Sequence, residues 1–221
     1  MTERMRRRAT YRDVLDAPIH KVAEIIDGKL YLSPRPAGPH TSVASALGEF
    51  LGPPFRRGRG GPGGWIILDE PELHLGAEIV VPDLAGWRRE RMPGVSNAAY
   101  FTVPPDWLCE VLSPSTEKLD RVDKLPVYAA HGVRNLWLVN PLRRTLEVLR
   151  LQDRKWLGVA VHRDDEKARI EPFDAIELDL AELWADLEAP PPRKGQPSRA
   201  SEPMAAYGDG SLDELLLDDG R

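Results

Sequence analysis

Two carboxylates interrupt apolar segments of this sequence in a way that suits metal-dependent hydrolysis. Glu110 lies inside the apolar run 107–112, and Asp83 follows the apolar run 79–81 and a proline. Neighbouring strands could deliver both carboxylates to one Mg²⁺ ion, which usually takes one or two protein carboxylates and fills its other positions with water and phosphate oxygens. Because a bound metal ion makes water a stronger acid, such a pair could supply hydroxide near neutral pH.

Glu110 is expected to be buried whichever way its strand faces. Side chains alternate along a strand, so Glu110 shares one face with Leu108 and Leu112. A buried carboxylate needs a cation, hydrogen-bond donors or a proton, because burying a lone charge is costly. A structural arginine is the alternative partner for Glu110, and Asp83 taken alone could equally be a turn or cap residue.

Lys124 is the third candidate, on the helix predicted for residues 117–130. Asp120 lies one turn earlier, so an exposed ion pair worth a few tenths of a kcal/mol is one interpretation. Tyr128 lies one turn later, and a wholly exposed stripe rarely contains a tyrosine. We therefore favour a stripe that faces the sheet edge, where the Lys124 ammonium could orient water and stabilise phosphate charge.

Other residues with chemical potential carry weaker signals. His40 could approach the site, but a lone histidine is more often a cap or a surface residue. Cys109 points away from Glu110 in a regular strand and is expected to pack in the core. A nucleophilic serine needs a base such as a histidine beside it, and Ser113 and Ser115 have no histidine nearby in sequence. The glycines of residues 58–64 lack the Gly-Lys-Ser/Thr ending of a phosphate-binding loop.

The elements that must position these residues alternate between strands and helices, which predicts an α/β fold with a sheet covered on at least one face. Asp27-Gly28 predicts a tight hairpin turn between two apolar runs, and Pro126 should kink the helix around it or shift its start. Residues 52–64 are rich in glycine and predict a mobile loop. Strands are predicted at 22–26, 29–32, 65–68, 72–75, 78–81, 107–112, 135–139, 145–151 and 155–162, and helices at 10–16, 40–51, 117–130 and 179–187.

Composition indicates one domain of ordinary size with a tail. The 221 residues are 42% hydrophobic and carry a net charge of −5, which argues mildly against a protein coated in nucleic acid. Cys109 is the single cysteine, no apolar run could span a membrane, and the basic start lacks the apolar stretch of a secretory signal. We therefore expect a cytoplasmic protein. We predict a basic N-terminal segment (1–9), one domain (10–187) and a Pro-rich, acidic, disordered tail (188–221).

Several motifs, taken in their order and spacing, resemble the bacterial Uma-type family of restriction-endonuclease-like proteins. The resemblance runs from about Thr10 to Leu187 and rests on the agreement of many motifs, each of which would be weak alone. The matching motifs are residues 24–30, His40, Pro82-Asp83, residues 110–116, Asp120, Lys124, Tyr128, Gly132-Val133 and residues 136–139.

The resemblance implies the PD-(D/E)XK nuclease fold, with a restriction-endonuclease-like central mixed β-sheet flanked by α-helices, an N-terminal β-hairpin and C-terminal β-strands. It also implies that Asp83 and Glu110 bind metal. The lysine of the superfamily motif would stand two residues after Glu110, where this chain has Leu112. The resemblance therefore points to Lys124 on the next helix, with the exposed-looking Lys118 as the weaker candidate.

Glu24 matches an early acidic residue that often completes such sites, and its alternative role is an exposed residue of the hairpin. With Asp83, Glu110 and Lys124, it forms the predicted catalytic set. No further cofactor besides a divalent metal is expected.

The leading hypothesis is a Mg²⁺-dependent endonuclease that hydrolyses DNA phosphodiester bonds, with Mn²⁺ able to substitute. A catalytically inactive nuclease-fold module that binds DNA or protein is the alternative, since the charge is acidic and the lysine displaced. A hydrolase of a small phosphorylated metabolite is a third hypothesis, which a closed pocket would favour over a shallow basic cleft. A homodimer is expected by analogy, and the acidic tail could bind a protein partner.

Overall fold

The computed structural model describes residues 7–188 of the chain, which form short helices and two main sheets. Residues 1–6 of the predicted basic segment and residues 189–221 of the predicted tail lie outside it. The helices are α1 (Tyr11–Leu15), α2 (Gly38–Leu51), α3 (Leu125–Ala130) and α4 (Leu180–Leu183), with π-helical segments at Gly52–Arg56 and Leu119–Lys124. The strands are β1 (Lys21–Ile26), β2 (Lys29–Pro34), β3 (Trp65–Asp69), β4 (Leu73–Leu75), β5 (Glu78–Val80), β6 (Leu84–Arg88), β7 (Trp107–Val111), β8 (Asn135–Asn140), β9 (Thr145–Gln152), β10 (Lys155–Arg163), β11 (Lys167–Ala168) and β12 (Leu178–Asp179).

The central sheet has six strands in the order β10-β9-β8-β7-β6-β3. Strands β7 and β8 run parallel and the other neighbours pair antiparallel, so the sheet is mixed. A second sheet has the order β2-β1-β5-β4 and contains the N-terminal hairpin, while β11 and β12 form a small third sheet near the C-terminal end of the domain. This architecture is the predicted fold class.

The hairpin turn follows from its two residues. Asp27 and Gly28 have φ of 50° and 68°, the left-handed conformation that the favoured two-residue turn requires at both positions. Strands β1 and β2 then pair in register from Ile26 opposite Lys29 outward.

Both faces of the central sheet are covered, as the nearly continuous apolar character of β7 indicates. One face packs against α2 and α4 through an aromatic core around Trp65, Trp107, Trp137 and Phe173. The other face packs against α3 through a second core that includes Tyr128. None of the helices in residues 7–188 has the length and apolar character needed to cross a bilayer.

Two local predictions were wrong. The predicted loop at 52–64 begins with a π-helical turn that continues α2 and buries Pro54 and Phe55. Strand β6 was not predicted, because its Ala85-Gly86 pair has weak strand propensity. Gly86 is tightly packed, since a Cβ there would lie 3.1 Å from a Trp107 ring atom and 3.3 Å from one of Trp65, and the rings would have to shift to admit it.

Candidate active site

The antiparallel pairing of β6 with β7 brings Asp83 to Glu110. Leu84 lies opposite Cys109 in this ladder, so one further step places Asp83 opposite Glu110. The contact is direct at the next residue, because the Val111 backbone N–H donates to Asp83 Oδ2 at 2.6 Å. Glu110 is only 2% exposed, and its neighbours on β7 are buried as well. The structure thus brings together the two predicted metal ligands.

Glu24 reaches the same place from the second sheet. Its side chain is 2% exposed, and its Oε1 accepts a hydrogen bond of 2.8 Å from the backbone N–H of Val81, two residues before Asp83. The alternative role as an exposed hairpin residue is therefore wrong. Glu24 joins β1 to the segment that carries Asp83.

Lys124 lies at the centre of a buried cluster of charges that it forms with Glu24, Glu110 and Asp120. It is 2% exposed, whereas the weaker candidate Lys118 lies on the surface. Its Nζ is surrounded by oxygens from four residues: Glu110 Oε1 at 2.9 Å, Glu24 Oε1 at 3.1 Å, Asp120 Oδ1 at 3.5 Å and the Val81 carbonyl oxygen at 3.3 Å. The interpretation of Lys124 and Asp120 as an exposed surface pair is therefore wrong.

A π-helical segment presents Lys124 to the sheet. The continuous α-helix predicted for 117–130 is instead a π-helix from Leu119 to Lys124 followed by α3. Pro126 lacks the N–H that an α-helix would donate to the Val122 carbonyl, so the regular bonding pattern cannot pass through this point. Single π turns of this kind are frequent at functional sites.

Burial and mutual charge shift the pKa values of the cluster. Burial raises the pKa of Glu110 well above its usual value, and Asp120 and Asp83 add to the rise while Lys124 and Tyr128 oppose it. Burial lowers the pKa of Lys124, but Glu110 and the other acids around it outweigh burial, so this pKa ends well above its usual value. Burial and the Glu110 charge raise the pKa of Tyr128 well above its usual value. Tyr128 therefore stays protonated and donates its hydroxyl hydrogen to Glu110 Oε1.

His40 contacts the opposite side of Asp83. Its Nε2 lies 3.0 Å from Asp83 Oδ1, and its buried Nδ1 has no hydrogen-bond partner among the described residues. His40 is carried by the first turn of α2, which follows the β2 end of the hairpin. The structure thus places this histidine beside Asp83, where the sequence analysis allowed it although a cap or surface role is more common.

A cavity of about 350 Å³ opens onto these residues. Five carboxylates line it, against two permanently charged cations, so the cavity is acidic and not the basic cleft that a DNA substrate alone would favour. The carboxylates are Glu24, Glu70, Asp83, Glu110 and Asp120, and the cations are Arg35 and Lys124. An anionic substrate could enter only if additional positive charge entered with it.

The donor set suits a hard divalent cation. In residues 7–188, no group of three or more His, Cys, Asp or Glu side chains is arranged as a ready set of metal ligands. Mg²⁺ does not need such a set, because it usually binds one or two carboxylates and keeps several waters. Asp83 and Glu110 meet that lower requirement, and the excess negative charge of the cavity favours a cation.

The sequence analysis missed one side chain and one contact in this region. Arg35 lines the cavity from the end of the hairpin, but a single arginine between two prolines carries no recognisable pattern. Tyr128 was expected on a stripe facing the sheet edge and among the matching motifs, but its bond to Glu110 depends on how the helix packs on the sheet.

Comparison with known proteins agrees with this fold. A family model described as "Uma2: Putative restriction endonuclease" matches residues 9–181. Among solved structures, the chain is similar to that of a "putative nuclease belonging to DUF820" from Anabaena variabilis ATCC 29413, with 24% sequence identity and a TM-score of 0.62 over 80% of this chain and 98% of that one. Such a likeness shows a shared fold. No curated protein matches the chain.

Proposed function

The chain belongs to the Uma2 family, which confirms the resemblance seen in its motifs, and from that premise we propose that it is a Mg²⁺-dependent endonuclease that hydrolyses DNA phosphodiester bonds. The observation that carries the proposal is the pair Asp83 and Glu110, held opposite each other by β6 and β7 at the wall of an acidic cavity. Mn²⁺ would substitute for Mg²⁺ because both suit oxygen ligands.

Asp83 and Glu110 would hold the ion, and their other contacts decide which oxygens are available. Glu110 Oε1 is occupied by Tyr128 and Lys124, so Oε2 is the oxygen left for a metal. Asp83 Oδ2 accepts from Val111, while Oδ1 faces His40. A bound Mg²⁺ ion lowers the pKa of an attacking water and neutralises charge on a phosphate.

Lys124 acts through Glu110 in this proposal. A buried Glu110 resists ionisation, and the ammonium 2.9 Å away favours the ionised form that a metal ion needs. Lys124 also neutralises Glu24 and Asp120, which would otherwise repel the phosphate. Glu24 in turn fixes the Val81 backbone and so the approach of the chain to Asp83. The predicted catalytic set therefore comprises two metal ligands and two residues that position them.

Calorimetry with Mn²⁺ tests the metal site directly. We expect the intact protein to bind Mn²⁺, and Asp83→Asn/Glu110→Gln to bind it at least tenfold more weakly, because both ligand oxygens lose their charge. Asp69→Asn is the matched control, since Asp69 lines the neighbouring cavity that Asp83 and His40 also line, but is exposed. Equal binding by all three proteins would show that Asp83 and Glu110 are not ligands.

Cleavage of supercoiled plasmid DNA tests the reaction. We expect nicked and linear products with Mg²⁺ or Mn²⁺, none after addition of a chelator, and none from the double variant. Products from the double variant at the rate of the intact protein would contradict the proposed site.

The second candidate function is a nuclease-fold module that binds DNA or protein without turnover. The observation that favours it is the complete enclosure of Lys124 by protein oxygens, as in a structural ion network. This candidate predicts DNA binding that does not change when Mg²⁺ is removed. It also predicts no products in the plasmid assay.

Two further elements of the proposal concern setting and assembly. We place the protein in the cytoplasm, because its proposed substrate is DNA and its single cysteine forms no intrachain disulfide. A homodimer would place one site on each strand of a duplex, and analytical ultracentrifugation of the full chain tests that arrangement.

A further inference from the structure

Lys124 is unsuited to contact a substrate phosphate. Its ammonium has three N–H donors, and four protein oxygens already lie within 3.5 Å of Nζ. The side chain is also almost fully buried, so a phosphate could reach it only by displacing a carboxylate. A side chain that meets the phosphate must therefore be another group of the cavity wall.

Arg35 is the other permanently charged cation among the described residues that line this cavity. Its side chain is 54% exposed, in contrast to the enclosed Lys124. The guanidinium makes two long contacts, from Nη1 to Glu70 Oε2 and from Nη2 to the Ile19 carbonyl oxygen, both at 3.4 Å. Since a guanidinium carries five N–H donors in a planar fork, it keeps the capacity for a bidentate bond to a phosphate.

The backbone holds Arg35 at the rim. Pro34 ends β2 and Pro36 follows Arg35, and all three residues line the cavity together with Ala37. Each proline fixes its own φ and restricts the residue before it, so the segment presents the arginine with little backbone freedom. This rigidity lowers the entropy that a bound phosphate would otherwise cost.

Glu70 connects Arg35 to the candidate metal ligand. Its backbone N–H donates to the Asp83 carbonyl oxygen at 2.9 Å, while its carboxylate makes the long contact with Arg35. Arg35 and Asp83 are therefore both in contact with Glu70, and both line the same cavity. Without substrate, the Glu70 carboxylate pairs with the Arg35 guanidinium, and it would compete with a phosphate for that group.

We propose that Arg35, and not Lys124, binds the backbone phosphate of the nucleic acid at this site, with Glu70 as its resting partner. The inference rests on the proposed function, because it assigns a substrate contact to the same cavity. It differs from the metal-site proposal in its chemistry, since Arg35 contributes to phosphate binding and not to metal binding.

The test compares the full-length protein with Arg35→Ala, Arg35→Lys and Arg12→Ala. The probe is a fluorescein-labelled DNA duplex with Ca²⁺ in place of Mg²⁺, and binding is followed by anisotropy at several salt concentrations. Arg12→Ala is the matched control, because Arg12 is an exposed arginine paired with Asp16 at 3.0 Å and lies outside the cavity lining. Both alanine variants change the net charge equally, so a difference between them reports the local contact.

We expect Arg35→Ala to weaken DNA binding about tenfold and to reduce the slope of log affinity against log salt by about one, as for the loss of one phosphate contact. Arg35→Lys should bind with intermediate affinity, because a lysine keeps the charge and loses the fork. Glu70→Gln should strengthen binding, since it removes a competing carboxylate. Mn²⁺ affinity measured by calorimetry should be the same in Arg35→Ala and the intact protein.

Three results would overturn the inference. One is equal DNA affinity and salt slope for Arg35→Ala and Arg12→Ala, and a second is no DNA binding by the intact protein. The third is a parallel loss of Mn²⁺ binding in Arg35→Ala, which would mean that Arg35 supports the metal site. Failure of the proposed function looks different, because the intact protein would then bind no Mn²⁺ and cut no plasmid while Arg35→Ala could still weaken DNA binding.

Discussion

The two faces of strand β7 are buried to the same extent but are held by different forces. On one face, Trp107 packs against Trp137 and Phe173 with ring centroids 5.1 and 4.9 Å away, inside an aromatic core. On the other face, Glu110 contacts Lys124 and Tyr128 in a cluster of charges. The aromatic face is stabilised by apolar contact, which is indifferent to pH, whereas the charged face is stable only while each charge keeps its partner.

The difference bears on the role proposed for the charged face. Replacing a buried ion network by apolar side chains is often neutral or stabilising, so stability alone does not require one. The cluster also opens onto the cavity, while the aromatic core does not. We infer that the charged face is retained because it holds Glu110 in place for chemistry, and the predictions below test the contrast between the two faces.

The largest effect is expected from Lys124→Met. This change leaves Glu24, Glu110 and Asp120 without their shared cation, and breaking a buried pair in this way costs about 3–5 kcal/mol. Urea unfolding at neutral pH, followed by tryptophan fluorescence, measures the free energy of unfolding.

Lys118→Met is the control for this measurement, because Lys118 is exposed and directly precedes the π-helical segment. It should change the free energy of unfolding by no more than about 0.5 kcal/mol. Equal stability of the two variants would mean that the cluster does not depend on Lys124. If Lys124→Met is unfolded at neutral pH, it should regain structure in acid, where the carboxylates become neutral.

Phe173→Ala on the aromatic face should cost about 3 kcal/mol, the lower end of the range for deleting a buried phenyl ring. The ring lies 4.7–5.5 Å from those of Phe55, Trp65, Trp107 and Trp137, so its removal leaves an apolar cavity. Its loss of stability, measured in urea, should be the same at every pH at which the protein folds. A pH-dependent loss would show that the two faces are coupled.

The pH dependence of stability should separate the faces. Because the pKa of Glu110 in the folded protein is raised above its unfolded value, its contribution to stability is fully present below the unfolded pKa and is lost as pH rises through the folded one. The free energy of unfolding of the intact protein minus that of Glu110→Gln should therefore decrease as the pH rises above about 4, the usual pKa of a glutamate. Carboxylates outside the cluster around Glu110 cancel in this difference.

A difference that stays constant with pH would show that Glu110 ionises as easily in the folded protein as in the unfolded chain. Phe173→Ala serves as the reference, since it should follow the intact protein in parallel across the same pH range.

The sequence predicted which residues lie on each face of β7, but it did not predict the contacts that surround Glu110 on the charged face. Alternation along 107–112 placed Glu110 opposite the aromatic side, because the period of a strand is fixed at two residues. It also indicated that Glu110 needed a partner, since a buried charge must have one. The hairpin could also be predicted from the sequence, because Asp27-Gly28 suits only a few turn types.

The rest depended on packing between distant segments. Strand β6 was missed because Gly86 is selected by the two indole rings that press on it, and such a contact leaves no local pattern. The π-helical segment was predicted to be α-helical, because the two kinds of helix repeat polar residues at nearly the same spacing. Arg35 and His40 come to the cavity through the hairpin and the first turn of α2, and their position depends on how two sheets meet.

The smallest effect is expected from Tyr128→Phe, which tests the charged face by removing one hydroxyl. Phenylalanine fills the same volume, so the change leaves the second core intact and deprives Glu110 Oε1 of one of its two partners. A hydrogen bond to a charged group contributes about 1.5–3 kcal/mol, and Lys124 can compensate in part, so we expect a loss of about 1.5 kcal/mol in urea unfolding. Combining Tyr128→Phe with Glu110→Ala, which removes the accepting oxygen, completes a double-mutant cycle that isolates this contact. A coupling energy of zero would mean that Tyr128 only fills space, and the charged face would then rest on Lys124 alone.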